Sequence, residues 1–158
     1  MQSKKSYTVQ EALLKLSKYC VYQDRCHQEV EQKLITMNMI PEARAHIISK
    51  LIENDFLNEE RFAMSYVRGK FNQKGWGRIR LRIELKRRKI SEYLINKSIA
   101  QIKESEYLSK LEYLSNKKFK QIGKDKSWAA KSKLKNHLIY KGYEIDLIMD
   151  QIKNLYKF

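Results

Sequence analysis

Apolar residues recur three and four positions apart along nearly the whole chain, the spacing that lines one face of an α-helix. Val9, Leu13, Leu16 and Cys20, with Ala12 beside them, form one such stripe. Thr8, followed three residues later by Glu11, has the form of a capping box at its start. Asp24 stands where it would cap a second helix carrying Val30 and Leu34. Pro41 suits the first turn of a third, where a missing N–H does no harm, and Ile47, Ile48, Leu51 and Ile52 continue it. Asn58 opens a fourth that runs through Arg61, Phe62 and Tyr66 to about Asn72, before Gly75 and Gly77 break it.

The pattern then repeats. Met39, Ile90 and Tyr143 serve as anchors, 51 and 53 residues apart. Five residues before them stand Leu34, Leu85 and Leu138, and nine before them Val30, Leu81 and Leu134. Four residues after come Ala43, Leu94 and Leu147, nine after Ile48, Ile99 and Ile152, and twelve after Leu51, Ile102 and Leu155. Five offsets kept in three places predict three copies of one helical unit: a leading helix, a middle helix ending near the anchor, and a closing helix. The units are expected at 7–54, 55–104 and 105–158, giving an all-α fold of three tandem three-helix repeats in an elongated, curved array. One segment resists: Ile79 to Leu85 alternates apolar and polar residues, as a half-buried strand does. A helix is expected there because Leu81 and Leu85 fall on the repeat frame; Ile79 and Ile83 should then pack against a neighbouring unit. A lone edge strand is the alternative.

Composition agrees with helices. Gly and Pro total six residues, where an average chain of 158 would carry roughly 19, too little punctuation for a turn-rich all-β or a nucleotide-binding α/β fold. Ten Tyr, five Phe and two Trp supply apolar bulk that a disordered chain lacks. Cys20 and Cys26 are too few for a disulfide framework, and burial is expected for both. The longest apolar run is four residues, Tyr19 to Tyr22, against the ~20 that span a bilayer, and Met1 to Ser6 shows no apolar leader region. A cytoplasmic protein without a membrane contact is expected.

Charge sharpens the functional reading. The net charge is +15, yet residues 1–60 hold 8 basic and 9 acidic residues, so the excess lies entirely beyond residue 60. Arg68 to Lys89 carries ten basic residues against Glu84 alone; Ser115 to Lys141 carries nine Lys against Asp125 alone. Such asymmetry points to a polyanionic partner. The Arg-containing block is the more informative, since guanidinium is the better phosphate fork, whereas a Lys-rich stretch also serves solubility. Arg68, Lys70, Lys74, Trp76, Arg78, Arg80, Arg82, Lys86 and Arg87 are the candidate binding residues. Trp76, at the Gly75-Trp76-Gly77 turn, would either stack on a base or plug the space between two units. Trp128 reads as core, as do Tyr66, Tyr93, Tyr107 and Tyr143.

Catalytic motifs are missing. There is no phosphate loop, nucleophile elbow or His-Glu-x-x-His, and Cys20, Cys26 and His27 lack the spacing and the fourth ligand of a zinc site. His27, His46 and His137 are scattered, and the acidic residues around Asn58 suit helix termini better than acid–base work. No enzyme, metal or cofactor is expected.

Asn54-Asp55-Phe56-Leu57-Asn58-Glu59-Glu60-Arg61-Phe62-Ala63-x-x-Tyr66-Val67-Arg68, followed by Gly77-Arg78-Ile79-Arg80-x-x-Ile83-Glu84-Leu85-x-x-Arg88-Lys89-Ile90, resembles the central signature of the RecX family, bacterial regulators of the RecA recombinase. Weaker similarity extends to Glu11-Ala12-Leu13 and Lys141-Gly142-Tyr143. The chain departs from the family pattern at turns: Asn54 and Lys89 stand where Gly is usual, and Trp76-Gly77 replaces Gly-Pro. The resemblance implies three tandem three-helix repeats. It also implies binding along the groove of the RecA filament on single-stranded DNA, damping ATP hydrolysis, strand exchange and co-protease activity in DNA repair and recombination. Filament growth would be blocked or the filament destabilised. Phe62, Ala63, Tyr66, Ile83 and Leu85 would be structural. The expected protein is a monomeric inhibitor of RecA; a direct binder of single- or double-stranded DNA, or a helical scaffold for an acidic protein, are the alternatives.

Overall fold

The computed structural model describes residues 6–157. Met1 to Lys5, which make up most of the N-terminal stretch without an apolar leader, lie outside the described residues, as does Phe158. Among the described residues there are nine α-helices and no strand: α1 (Val9–Tyr22), α2 (His27–Thr36), α3 (Pro41–Glu53), α4 (Glu59–Gly69), α5 (Arg78–Arg87), α6 (Glu92–Ala100), α7 (Glu104–Ile122), α8 (Trp128–Lys141) and α9 (Ile145–Leu155). A π-helical turn, Lys70–Lys74, extends α4. The helices pack in threes. α1 and α2 lie on α3, α4 and α5 on α6, and α7, α8 and α9 on one another.

Local sequence explains most of the boundaries. The capping box at Thr8 is complete: the Glu11 N–H donates to Thr8 Oγ1 at 3.0 Å and the Thr8 N–H to Glu11 Oε1 at 3.2 Å. Asn58, Ser91 and Ser127 cap α4, α6 and α8 with their side chains. Asp24 caps nothing. Cys26 occupies the N-cap of α2, while Asp24 accepts from Arg61 at 2.9 Å and Ser65 at 3.0 Å, tying the first unit to α4.

The three anchors share one backbone device. The N–H groups of Met39, Ile90 and Tyr143 reach back five residues to the carbonyls of Leu34, Leu85 and Leu138, at 3.1, 3.1 and 3.2 Å. The residue before each anchor has positive φ: Asn38 at 60°, Lys89 at 59° and Gly142 at 99°. This is the Schellman close of a helix, in which a left-handed residue lets the next N–H satisfy an end carbonyl and brings two apolar side chains together. The five-residue offset in the sequence is that contact: all three leucines are fully buried, and the anchors are at most 8% exposed. Lys89 carries the left-handed strain without glycine's freedom. Lys89→Gly is therefore expected to stabilise the fold by about 1 kcal/mol, read as a higher urea midpoint with an unchanged slope.

The doubtful segment is helical, within α5. Leu81 and Leu85 are fully buried, but Ile79 and Ile83 are each 46% exposed, so neither is buried between units and Ile83 is not a core residue. Two further expectations fail for a common geometric reason. Trp128 is 83% exposed and Tyr93 69%. Trp128 precedes the buried Ala130 of α8 by two residues, and Tyr93 precedes the buried Ile95 of α6 by two. At about 100° per residue, two positions turn a side chain roughly 200° away from the buried stripe.

Burial is divided unequally among the units. The first has its own core, including Leu16, Val30, Leu34, Ile47 and Leu51. The second and third share one, from Phe62 on α4 through Leu81, Ile95 and Leu111 to Leu134 and Ile148, with Tyr107 and Tyr143 among its largest members. Cys26 is the member of this second core that comes from the first unit. Both cysteines are buried and unbridged. Burial pushes the Cys26 thiol from about 9 up to about 11. The folded thiol keeps its proton where the unfolded one has lost it, so folding stability should fall as pH rises from about 9 through about 11. Urea unfolding at stepped pH tests this: Cys26→Ala should flatten that part of the profile.

Candidate functional site

The basic block lies on either side of the link between α4 and α5. The π-helical turn closes at Gly75, φ 68°, whose N–H donates to the Phe71 carbonyl, while the Trp76 N–H reaches the Lys70 carbonyl. The chain then runs along the C-terminal end of α8. The Gly77 N–H donates to the Lys141 carbonyl at 2.8 Å, the Ile79 N–H to the Gly142 carbonyl at 2.9 Å, and the Tyr143 hydroxyl to the Gly75 carbonyl at 3.0 Å. Backbone therefore meets backbone where the second unit joins the third, forming a seam.

Arg78 fastens the seam. Its guanidinium binds Glu144 at 2.7 Å and Glu104, and stands 3.8 Å from the centre of the Tyr107 ring. The Tyr107 hydroxyl accepts from the Arg78 N–H at 3.0 Å and donates to Glu144. Burial, reinforced by the Glu144 carboxylate, raises the Tyr107 pKa, so the hydroxyl keeps its proton.

The remaining expected site residues fall into two groups. Arg82 and Lys86 share Glu92, at 3.3 and 3.0 Å, and Arg87 pairs with Glu84 at 3.0 Å. Lys70, Lys74, Trp76 and Arg80 converge at the seam instead. Trp76 is partly buried, edge-on to Tyr66 at 6.3 Å, with Lys70 Nζ 5.2 Å and Arg80 Cζ 4.2 Å from its ring centre. Arg80 also stands 4.6 Å from the Tyr140 ring centre and donates to the Tyr140 carbonyl at 3.2 Å. Arg68 lies apart, donating to Gln101 at the C-terminal end of α6.

Sequence reading missed the half of this cluster that comes from α7 and α8. The Lys141 ammonium donates to the Lys74 carbonyl at 2.9 Å. Desolvation lowers the pKa of Lys141, and the charges of Arg80, Lys74 and Lys117 lower it further. Among the described residues, no ion pair joins Lys74, Arg80, Lys117 or Lys141 to a carboxylate. Four cations held together without a counter-charge make an anion-seeking surface. The available signal was the repeat frame, which places Lys141 two residues before an anchor and so beside a helix end. Among the described residues, no group of His, Cys, Asp and Glu is placed to hold a metal ion, and no helix is long and apolar enough to cross a membrane.

Comparison with known proteins agrees with the repeat. Residues 58–99 match the second three-helix domain of RecX, and residues 104–152 match the third. The chain belongs to the RecX family. A regulatory protein RecX from Bacillus cytotoxicus is 31% identical over 147 residues, covering 93% of this chain and 54% of the relative, and one from Bacillus mycoides is 29% identical over the same length. The chain thus spans about half the length of these RecX relatives. The crystal structure of RecX from Lactobacillus salivarius superposes with a TM-score of 0.80 at 26% identity, covering 93% of this chain and 96% of that one. A second RecX crystal structure gives 0.81 at 23% identity, covering 92% and 71%.

Proposed function

We propose that this chain is a non-enzymatic, cytoplasmic regulator of the RecA recombinase that binds the RecA filament on single-stranded DNA and damps its ATP hydrolysis, strand exchange and co-protease activity. The RecX relatives carry regulation in their names. The observation that carries the reading here is the cluster of Lys74, Arg80, Lys117 and Lys141, which no ion pair among the described residues joins to a carboxylate. A nucleoprotein groove presents phosphates and acidic side chains together, and an uncompensated cation cluster is attracted to both. The three units, 7–54, 55–104 and 105–158, act as one monomeric, elongated body, with the basic second and third units facing the filament and the near-neutral first unit adding length. Arg78 serves this surface indirectly, by keeping the seam closed.

The reading is tested by titrating the protein into RecA hydrolysing ATP on single-stranded DNA, with excess free strand added in a parallel series. Inhibition at substoichiometric amounts that survives the excess strand is expected. Inhibition abolished by free strand would mark a DNA binder that competes for substrate.

A further inference from the structure

We propose that the seam is itself a subsite for single-stranded nucleic acid: Lys74, Arg80 and Lys141 take strand phosphates, and Tyr140 stacks on a base. This deepens the function proposed above and rests on it for its setting, but the contact it assigns requires no recombinase.

Of the two roles open to Trp76, stacking on a base or plugging the space between two units, its surroundings favour the plug. It is partly buried against Tyr66, with Lys70 and Arg80 over its ring. Tyr140 has the opposite character. It is 68% exposed, and the Arg80 guanidinium lies 4.6 Å from its ring centre. Arg80 therefore covers part of the ring while most of the side chain stays open to solvent. An open aromatic beside a row of cations is the arrangement by which proteins bind single strands without sequence preference, the ring taking a base and the cations tracking the backbone.

The cations are prepared for that work. Arg80 stands between two rings and bonds one carbonyl through Nη1, which fixes its plane and leaves its other N–H groups for an oxyanion. Lys141 is anchored on the Lys74 carbonyl; desolvation lowers its pKa, and repulsion from the charges of Arg80, Lys74 and Lys117 lowers it further. A bound phosphate relieves that repulsion. Because Lys74 and Arg80 belong to the second unit and Tyr140 and Lys141 to the third, a strand bound here bridges the two units. A row of carboxylates on a protein would satisfy the cations but give Tyr140 nothing to stack on, which favours the nucleic acid.

The test uses the full chain without recombinase and a fluorescently labelled dT20 oligonucleotide, with anisotropy followed across a salt series. Binding should weaken with salt along a log–log slope of about −2, as expected for three cations on a single strand. Tyr140→Ala should weaken binding roughly tenfold and Tyr140→Phe should restore it, since the ring and not the hydroxyl stacks. Lys141→Gln should make the slope shallower by about 0.7, while Lys18→Gln on α1 should leave it unchanged. Circular dichroism melting of each variant separates impaired binding from impaired folding. Equal weakening in Tyr140→Phe and Tyr140→Ala would overturn the stacking role. A polyglutamate peptide binding as tightly as dT20 would overturn the choice of nucleic acid. Binding to dT20 without any effect on RecA would leave this subsite standing and defeat the regulatory function; inhibition of RecA without binding to dT20 would do the reverse.

Discussion

Gly77→Ala is expected to lower folding stability by about 3 kcal/mol, or roughly 10 °C in melting temperature. A Cβ at Gly77 would stand 2.4 Å from the Gly142 carbonyl oxygen and 2.8 Å from the Tyr143 nitrogen, and both are backbone atoms that cannot swing aside. Relief requires the seam to part, which breaks the Gly77–Lys141 and Ile79–Gly142 hydrogen bonds and disturbs Tyr143 in the core shared by the second and third units. Backbone conformation is not the cause, because φ at Gly77 is −81°, which alanine adopts freely. Gly69 gives the contrasting control. Its backbone is helical, φ −65° and ψ −47°, and nothing lies within 4 Å of its would-be Cβ, so Gly69→Ala should leave stability unchanged or raise it by up to about 1 kcal/mol. A Gly77→Ala protein no less stable than Gly69→Ala would mean that the seam is not closely packed.

The second large effect falls on binding. Lys74→Gln combined with Arg80→Gln should raise the concentration needed to inhibit RecA ATP hydrolysis at least tenfold, since removing a charge-assisted hydrogen bond to the partner costs about 1 kcal/mol or more. Lys86→Gln combined with Arg87→Gln removes the same formal charge but should shift inhibition by no more than about threefold, because those cations already face Glu92 and Glu84. If the two double variants weaken inhibition equally, total charge and not the seam governs binding. Melting temperatures measured alongside should change little for either.

Much of the fold was legible because one backbone device recurs. The Schellman close demands an apolar pair five residues apart, and that pair stands in the sequence three times, as Leu34 with Met39, Leu85 with Ile90 and Leu138 with Tyr143. The same frame resolved the alternating segment from Ile79 to Leu85 correctly as helix, although it could not say that the second apolar face would meet solvent. Trp128 and Tyr93 were misplaced because a place within a unit or beside the apolar frame is not enough; the angle to the buried stripe decides the matter. Asp24 stood at the right distance for a cap, but Arg61, 37 residues away, claims it.

The site was legible by halves. Lys70, Lys74, Trp76 and Arg80 stand in one charged run, which composition reveals. What sequence could not supply was which cations are already neutralised: Arg78 is taken up by Glu104 and Glu144, the latter 66 residues distant. Nor could it bring Tyr140 and Lys141 beside Arg80, since 60 residues separate Arg80 from Tyr140 and only the folded seam joins them.

The most direct test of the central claim is the affinity of the labelled protein for RecA assembled on single-stranded DNA, measured at one fixed salt concentration beside its affinities for RecA alone and for the bare strand. Binding to the filament at least tenfold tighter than to either component is predicted, because the seam then meets phosphate and protein together. Equal affinity for bare strand and filament, or no measurable binding to the filament, would contradict regulation at the filament.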